Sequence, residues 1–269
     1  MIAAGPAAIA ARVVGLALLL APPARGAERM PVLPEELAIT RSIDVQGEDE
    51  FQTSLSARHL RLPHERSTTV RADVEYGVTD RLQAIIEIPY GIRDPADAPS
   101  VNGLEDEDLE LGVRYALLDF RTRPLALDVG LTVGLPTGSR RKGLGAGAVS
   151  LEPTFTLSRW LGRVNGQLSF SWRRSGIGGM AAAEDDLEYD VALLYPWRQW
   201  FLIFEGAGET EAGETAYHGV PELVWKPRKG LELLVAVPVG FTHAAADLGV
   251  IASITVGIER LTGRGEGAD

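Results

Sequence analysis

The sequence predicts an all-β protein, an up-and-down antiparallel β-barrel of about twelve strands that crosses a membrane. From about residue 51 onward, apolar and polar residues alternate with period 2, in segments of about nine to twelve residues. This length suits a tilted strand that crosses a bilayer, whereas strands of globular proteins average about 5–6 residues. Tyrosines and tryptophans fall mostly at the segment ends, as in the aromatic girdles of membrane barrels.

Residues 1–26 indicate a secretory signal peptide. Arg12 precedes the apolar run 13–21, and prolines and small residues then lead to Gly26, which is the order typical of a cleaved export signal. The run is about half as long as a membrane-spanning helix, so we expect it to be removed. Residues 27–50 are polar and contain proline, and we expect a periplasmic segment, either a short plug in the lumen or a disordered lead.

The barrel is predicted at residues 51–262, followed by a polar tail at 263–269. In Leu109–Leu117 the apolar residues occupy every second position, an arrangement that a helix would scatter around its axis. Short and long connections between the segments alternate along the chain, as in barrels with tight periplasmic turns and long external loops. The predicted strands are 51–62, 70–76, 82–88, 109–117, 125–135, 149–157, 164–172, 187–195, 200–205, 219–225, 231–241 and 248–258, and the longer loops are 91–107, 136–147, 174–185, 207–216 and 243–247.

Composition excludes several classes of function. The chain has no cysteine, which excludes disulfides, thiolate metal sites and a lipid-modified N-terminal cysteine. The formal net charge is −11, and removal of Arg12 and Arg25 with the signal makes it −13. This balance argues against nucleic acid as a partner. The four histidines lack metal-ligand spacing and no nucleophile stands out, so we expect no enzyme, no metal and no cofactor.

The polar positions of the alternating segments are expected to face the lumen, because charge on the lipid side is costly. They hold about twelve acids against about four bases, which favours cations if the lumen is open. Alternatively, the acids pair with inward arginines and with loop bases such as Arg93 and Arg140–Lys142 and leave a plugged core. The lumen-facing candidates are Asp73, Glu75, Glu87, Glu110, Arg114, Asp128, Glu152, Arg173, Glu188, Asp190, Glu205, Glu222 and Glu232.

Three hairpin motifs suggest a family. Val74–Leu82 (VEYGVTDRL), Gly103–Tyr115 (GLEDEDLELGVRY) and Gly130–Gly138 (GLTVGLPTG) resemble those of the outer-membrane barrels grouped as the "MetA-pathway of phenol degradation" or transporter-like family. The resemblance covers roughly residues 65–260. It implies a barrel in the outer membrane of a Gram-negative cell and, loosely, passage of small organic molecules.

We therefore expect a porin-like outer-membrane transporter for small solutes, with weak selectivity for cations or small organic molecules. Its expected partners are outer-membrane lipids, the barrel-assembly machinery, and lipopolysaccharide phosphates near Arg140–Lys142. The alternatives are a plugged structural or surface barrel without transport, and a membrane hydrolase that would use His218 with a serine on the outer wall.

Overall fold

The structure is a computed structural model that describes residues 31–62, 64–104, 108–120, 124–138, 144, 147–178 and 183–258. Within these ranges the regular structure is β-strand, and no helix is long and apolar enough to cross a membrane. The strands are β1 (Phe51–Arg61), β2 (Glu65–Thr79), β3 (Leu82–Pro95), β4 (Val101–Leu104), β5 (Leu109–Leu118), β6 (Leu125–Leu135), β7 (Val149–Leu161), β8 (Val164–Ile177), β9 (Asp185–Trp197), β10 (Trp200–Glu211), β11 (Glu214–Arg228), β12 (Leu231–Ala236), β13 (Val239–Gly240) and β14 (Leu248–Ile258).

The strands form a closed antiparallel barrel with twelve strand positions around its wall, which we call staves. Two staves are interrupted: β4 and β5 both pair with β3, and β12 and β13 both pair with β11. Every other stave is one strand paired with its neighbours along the chain. The barrel closes where β14 pairs with β1, from Phe51 opposite Ile258 to Arg61 opposite Leu248. The predicted fold class and strand number are therefore confirmed.

Pro238 explains the break between β12 and β13. Proline lacks the backbone N–H that a central strand position would donate to its neighbour. Its carbonyl still accepts a hydrogen bond from the Gly249 N–H at 2.8 Å, and the Val237 N–H donates to the Pro221 carbonyl at 3.1 Å. The stave therefore remains attached on both sides although the ladder is irregular there.

The period-2 pattern separates the two faces of the wall. On β5, Leu111, Val113 and Tyr115 are exposed on the outside, while Glu110 and Arg114 are buried on the inside. The same alternation continues around the barrel and leaves an apolar belt on its outer surface. Exposed members of this belt include Leu55, Ile86, Ile88, Leu111, Val113, Leu131, Phe155, Phe170, Leu193, Leu202, Phe204, Leu223, Val235, Val250 and Ile254.

The two ends of the barrel differ. One end, the turn end, carries the short turns at 80–81, 162–163, 198–199 and 229–230; the other, the loop end, carries the connections after β3, β6, β8 and β13. The long loop predicted at 207–216 is wrong, because β10 and β11 meet in a tight turn at Ala212 and Gly213, whose φ angles are +48° and +86°. Positive φ at both central residues is the geometry of a two-residue hairpin turn.

The sequence missed this hairpin because its last residues are polar on both faces. Glu209, Thr210 and Glu211 pair with Ala216, Thr215 and Glu214, so the backbone ladder continues after the apolar alternation has stopped.

Residues 33–46 lie inside the barrel, in its turn-end half. The segment enters beside β11 and β12, rises to Arg41 near the middle of the lumen and returns to Gln46, which contacts Gln83 at the start of β3. A hydrogen bond of 2.7 Å from the Ser42 hydroxyl to the Pro34 carbonyl ties its two arms together. We call residues 33–46 the lumen segment. Of the two alternatives for residues 27–50, this arrangement corresponds to the plug.

Candidate functional site: the lumen and its N-terminal segment

The ascending arm of the lumen segment is held by carboxylates of the wall. The backbone N–H of Glu35 donates to Glu232 at 2.9 Å, and that of Ala38 donates to Glu222 at 3.0 Å. The N–H groups of Ile39 and Thr40 both donate to Glu205, at 3.1 and 2.5 Å. Hydrogen bonds to charged acceptors are the stronger ones, so this row of carboxylates binds the segment through its backbone.

Apolar contacts fix both arms of the lumen segment. Leu33, Leu37 and Ile43 are buried in one cluster with inward residues of the wall. On β10 and β11 the inner face is apolar next to its carboxylates, so the segment covers a surface that water would otherwise meet. The wall residues of this cluster are Ala126, Trp160, Ala192, Leu194, Phe201, Ile203, Val220, Val224, Leu234, Ala236 and Ile251.

Lys226 binds the lumen segment at the place where the segment enters the barrel. Its ammonium lies 2.5 Å from Glu232 and donates to the Leu33 carbonyl at 2.8 Å, and it stands 5.9 Å from the centre of the Phe201 ring. Glu232 is therefore neutralised by a lysine and bound by the Glu35 N–H at the same time.

Arg41, at the top of the segment, joins an ion-pair network in the middle of the lumen. Its guanidinium lies 3.1 Å from Glu87 and 3.5 Å from Glu152. Arg173 contacts the same Glu152 at 2.5 Å and Glu110 at 3.0 Å. The segment thus supplies a cation to a wall that carries more acids than bases.

Two further arginines complete this network. Arg71 lies 3.1 Å from Asp73 and 3.7 Å from Glu87. Arg114 pairs with Asp128 and also donates to the backbone carbonyl of Ser42 on the lumen segment.

A polar cavity of about 330 Å³ lies above the lumen segment. Ten carboxylates and five arginines contribute to its lining, together with His218 and hydroxyls of β7 and β8. Nine of the predicted lumen residues line it, and the other four lie elsewhere within the wall: Asp128 beside Arg114, and Glu205, Glu222 and Glu232 against the lumen segment. The nine are Asp73, Glu75, Glu87, Glu110, Arg114, Glu152, Arg173, Glu188 and Asp190.

Three carboxyl groups of the lumen segment are half-buried where the wall is already acidic. Burial, with Asp44 and Glu232 nearby, raises the pKa of Glu35 to about 8, against the opposing effect of Lys226. Burial also raises the pKa of Asp44 to about 6, although Lys226 and Arg114 lower it while Glu50 and Glu232 raise it.

Glu36 faces the β1–β3 side of the wall. Burial, followed by the charges of Glu75, Asp73 and Glu87, raises its pKa well above the usual value, and Arg71 acts in the opposite direction. Its carboxyl lies 3.4 Å from Gln52 Nε2 and 3.5 Å from Ser54 Oγ. The docked segment therefore favours protonated carboxyl groups.

Sequence reasoning missed the wall's main partner. The plugged alternative paired the wall acids with inward arginines and with loop bases such as Arg93 and Arg140–Lys142, but Arg41 of the lumen segment supplies a further cation at the centre of the described lumen. Arg140–Lys142 lie outside the described residues. A signal was present in Trp200–Phe204, which is apolar on both faces of a strand. Such a stretch indicates that something covers the inner face.

The structure places His218 on the lumen side, where it lines the cavity, and not on the outer wall where a membrane hydrolase would use it. Among the described residues, no group of three or more histidines and acids is arranged to hold a metal ion. The predicted signal peptide, the end of the barrel at 262 and the tail 263–269 lie outside the described residues.

Comparison of the fold with solved structures finds outer-membrane barrels. The COG4313 outer-membrane channel from Pseudomonas putida F1 matches with a TM-score of 0.64 at 11% identity, over 85% of this chain and 100% of that one. The NanC porin matches with a TM-score of 0.52 at 12% identity, over 77% and 99%. The KdgM porin, solved in complex with disordered oligogalacturonate, matches with a TM-score of 0.50 at 10% identity, over 77% and 98%.

At the level of sequence, no family model and no curated protein matches the chain. At such low identities the structural likeness concerns the fold, which is that of outer-membrane porins and channels.

Proposed function

We propose that this chain is an outer-membrane channel that allows passive passage of small solutes and favours cations, including small organic ones. The observation that carries the proposal is the polar cavity inside a closed barrel whose outer surface is apolar. Side chains that line this cavity include ten carboxylates and five arginines. Rings of carboxylates attract cations and repel anions in known pores.

Under this proposal the turn end faces the periplasm and the loop end faces the outside, as in bacterial outer-membrane barrels. The lumen-facing candidates of the sequence analysis then act together as the charged lining of the path. Membership of the MetA-pathway family, contact of the loop end with lipopolysaccharide, and insertion by the barrel-assembly machinery belong to the same proposal.

The test is a planar-bilayer recording of the purified protein in a salt gradient. We expect discrete current steps and a reversal potential that indicates cation preference. Neutralising two acids of the cavity wall, Glu188→Gln with Asp190→Asn, should move the reversal potential toward zero, because it removes negative charge next to the path. Asp185→Asn is the matched control, since this exposed residue at the loop end pairs with Arg174 outside the cavity.

Anion preference would contradict the proposed selectivity. Silence from protein that is shown to be folded would favour the plugged barrel, because the lumen segment already occupies the turn-end half of the lumen.

A further inference from the structure

Glu205 and Glu222 form a buried carboxyl pair on the inner wall. They lie on the adjacent strands β10 and β11, diagonally across the register in which Glu205 faces Val220. Their exposed fractions are 0% and 5%, and the backbone N–H groups of the adjacent residues Ala38 and Ile39 donate to Glu222 and Glu205, respectively. Residues at this diagonal spacing on one face of a sheet are close enough for long side chains to interact.

The pair lacks a cation within the described part of the chain. Its recorded donors are the backbone N–H groups of Ala38, Ile39 and Thr40, which are uncharged. One oxygen of Glu222, Oε1, is buried without any hydrogen-bond donor among the described residues. Buried carboxyl groups are costly unless they are paired or fully hydrogen-bonded, so the lumen segment satisfies this pair only in part.

The surroundings of the pair are apolar. Ile203 precedes Glu205 on the inner face of β10, Val220 and Val224 flank Glu222 on β11, and Ala192 lies opposite Glu205 on β9. Leu37 of the lumen segment now covers this wall. The site therefore presents two acceptors at the centre of an apolar surface, and its present occupant combines N–H donors with apolar side chains.

A protonated primary amine matches this arrangement better than a peptide backbone does. An ammonium group carries three donors and a positive charge, so it can offset one negative charge of the pair and also reach the open oxygen of Glu222. An apolar body of the ligand can replace Leu37 against the wall. Hydrogen bonds between charged groups are about twice as strong as neutral ones.

We propose that Glu205, Glu222 and the apolar wall around them form a binding site for small amphipathic primary amines, which take the place of residues 37–40 of the lumen segment. This inference rests on the proposed function, because the ligand reaches the site through the channel. It narrows the class of favoured solutes to organic cations that carry an apolar group.

The test is calorimetric titration of the full-length protein in lipid nanodiscs with 2-phenylethylamine. Two matched probes separate the contributions: 3-phenylpropionate keeps the ring and reverses the charge, and ammonium chloride keeps the charge without the ring. We expect saturable binding of the amine alone. Glu222→Gln should weaken it about tenfold or more, since it removes one charged hydrogen bond, and Glu214→Gln at the exposed start of the same strand should not.

Arg41→Gln provides a second measurement. It removes the ion pairs with Glu87 and Glu152 and should loosen the lumen segment, so the amine should bind more tightly when its competitor is weakened. If Glu222→Gln fails to fold, as judged by heat-modifiable gel migration, Glu205→Gln takes its place.

Absence of amine binding, equal affinity in Glu222→Gln, or equal binding of 3-phenylpropionate would overturn the inference. Cation-selective current without amine binding would refute the inference and leave the proposed function intact. Saturable amine binding that depends on Glu222, in protein that carries no current, would support the site and refute the channel.

Discussion

At the scale of single residues, the lumen segment brings more acid into an acidic wall. Glu35, Glu36 and Asp44 are half-buried there, and their pKa values are raised mainly by the loss of contact with water. When the segment leaves the lumen, these carboxyl groups regain water and ordinary pKa values. The docked state therefore binds more protons than the released state, and docking depends on pH.

The sign of this dependence follows from the raised pKa values. The contribution of Glu35 to docking is fully present below the ordinary pKa of a glutamate, 4.5, and is lost as the pH rises through about 8, the pKa of docked Glu35. Hydrogen exchange of the peptide that covers residues 31–46, corrected for the intrinsic rate, should become faster across this range. Glu35→Gln with Glu36→Gln should flatten the profile, and peptides from β9 should serve as the internal standard. A profile that is already flat in the unmodified protein would contradict the assignment.

At the scale of elements, the joint between the lumen segment and the barrel depends on a close backbone approach. The Asp49 N–H donates to the Gly77 carbonyl at 3.0 Å, and the Gly77 N–H donates to the Glu50 carbonyl at 2.9 Å. A Cβ atom at Gly77 would lie 1.7 Å from the Gly47 carbonyl oxygen. Since no flexible side chain can yield there, only glycine fits this position at the end of β2.

Gly77→Ala should therefore destabilise the protein or displace residues 47–50. We expect a loss of about 1–3 kcal/mol in the free energy of unfolding, the usual cost of overpacking, measured by urea titration in lipid. Gly206→Ala on β10 is the matched control, because a Cβ there would meet no atom within 4 Å. Equal stability of the two variants would show that the close approach does not constrain the fold.

At the scale of the whole molecule, the apolar belt determines which environment the barrel occupies. Its residues are exposed although they are large and hydrophobic, which a soluble protein of this size would seldom tolerate over so wide a surface. Surrounded by hydrocarbon, the same surface is stable, and the β1–β14 pairing leaves no open sheet edge in the described wall.

The position of the apolar belt in the bilayer can be checked by placing a charge at two different depths. Leu131, in the middle of β6, and Val78, beside the turn at 80–81, are both 44% exposed. Leu131→Arg should cost ~2–4 kcal/mol of folding free energy in lipid, and Val78→Arg only ~0–1 kcal/mol, because the penalty falls toward the interface. Equal costs in reversible unfolding from vesicles would mean that the belt does not span the hydrocarbon core.

The sequence predicts the barrel well because the lipid-facing side of each strand has to be apolar. Leu111, Val113 and Tyr115 must be apolar, and their period of 2 gives both the strand and its register. The ends of β10 and β11 escaped prediction because Thr210 and Thr215 lie where neither face is apolar. Backbone pairing alone does not require apolar and polar residues to alternate, so the sequence pattern does not reveal it.

The interior is less predictable, since its partners come from a distant part of the chain. The hydrogen bonds from the N–H groups of residues 39 and 40 to Glu205 depend on how the lumen segment folds back, because Thr40 and Glu205 are 165 positions apart in the sequence. Charge counting identified the carboxylates of the wall but not Arg41 as their central partner. The inward Phe201 and Ile203, next to the outward Leu202 and Phe204, were the available clue.

The path of the lumen segment has a consequence for biogenesis. Both of its arms reach the turn end, one beside Glu232 and the other beside Gln83, so the lumen segment does not pass through the barrel from one side to the other. The β1–β14 seam can therefore close first, around an empty interior, and the segment can fold in afterwards without being threaded. Closure of the barrel and occlusion of its lumen can then be separate events.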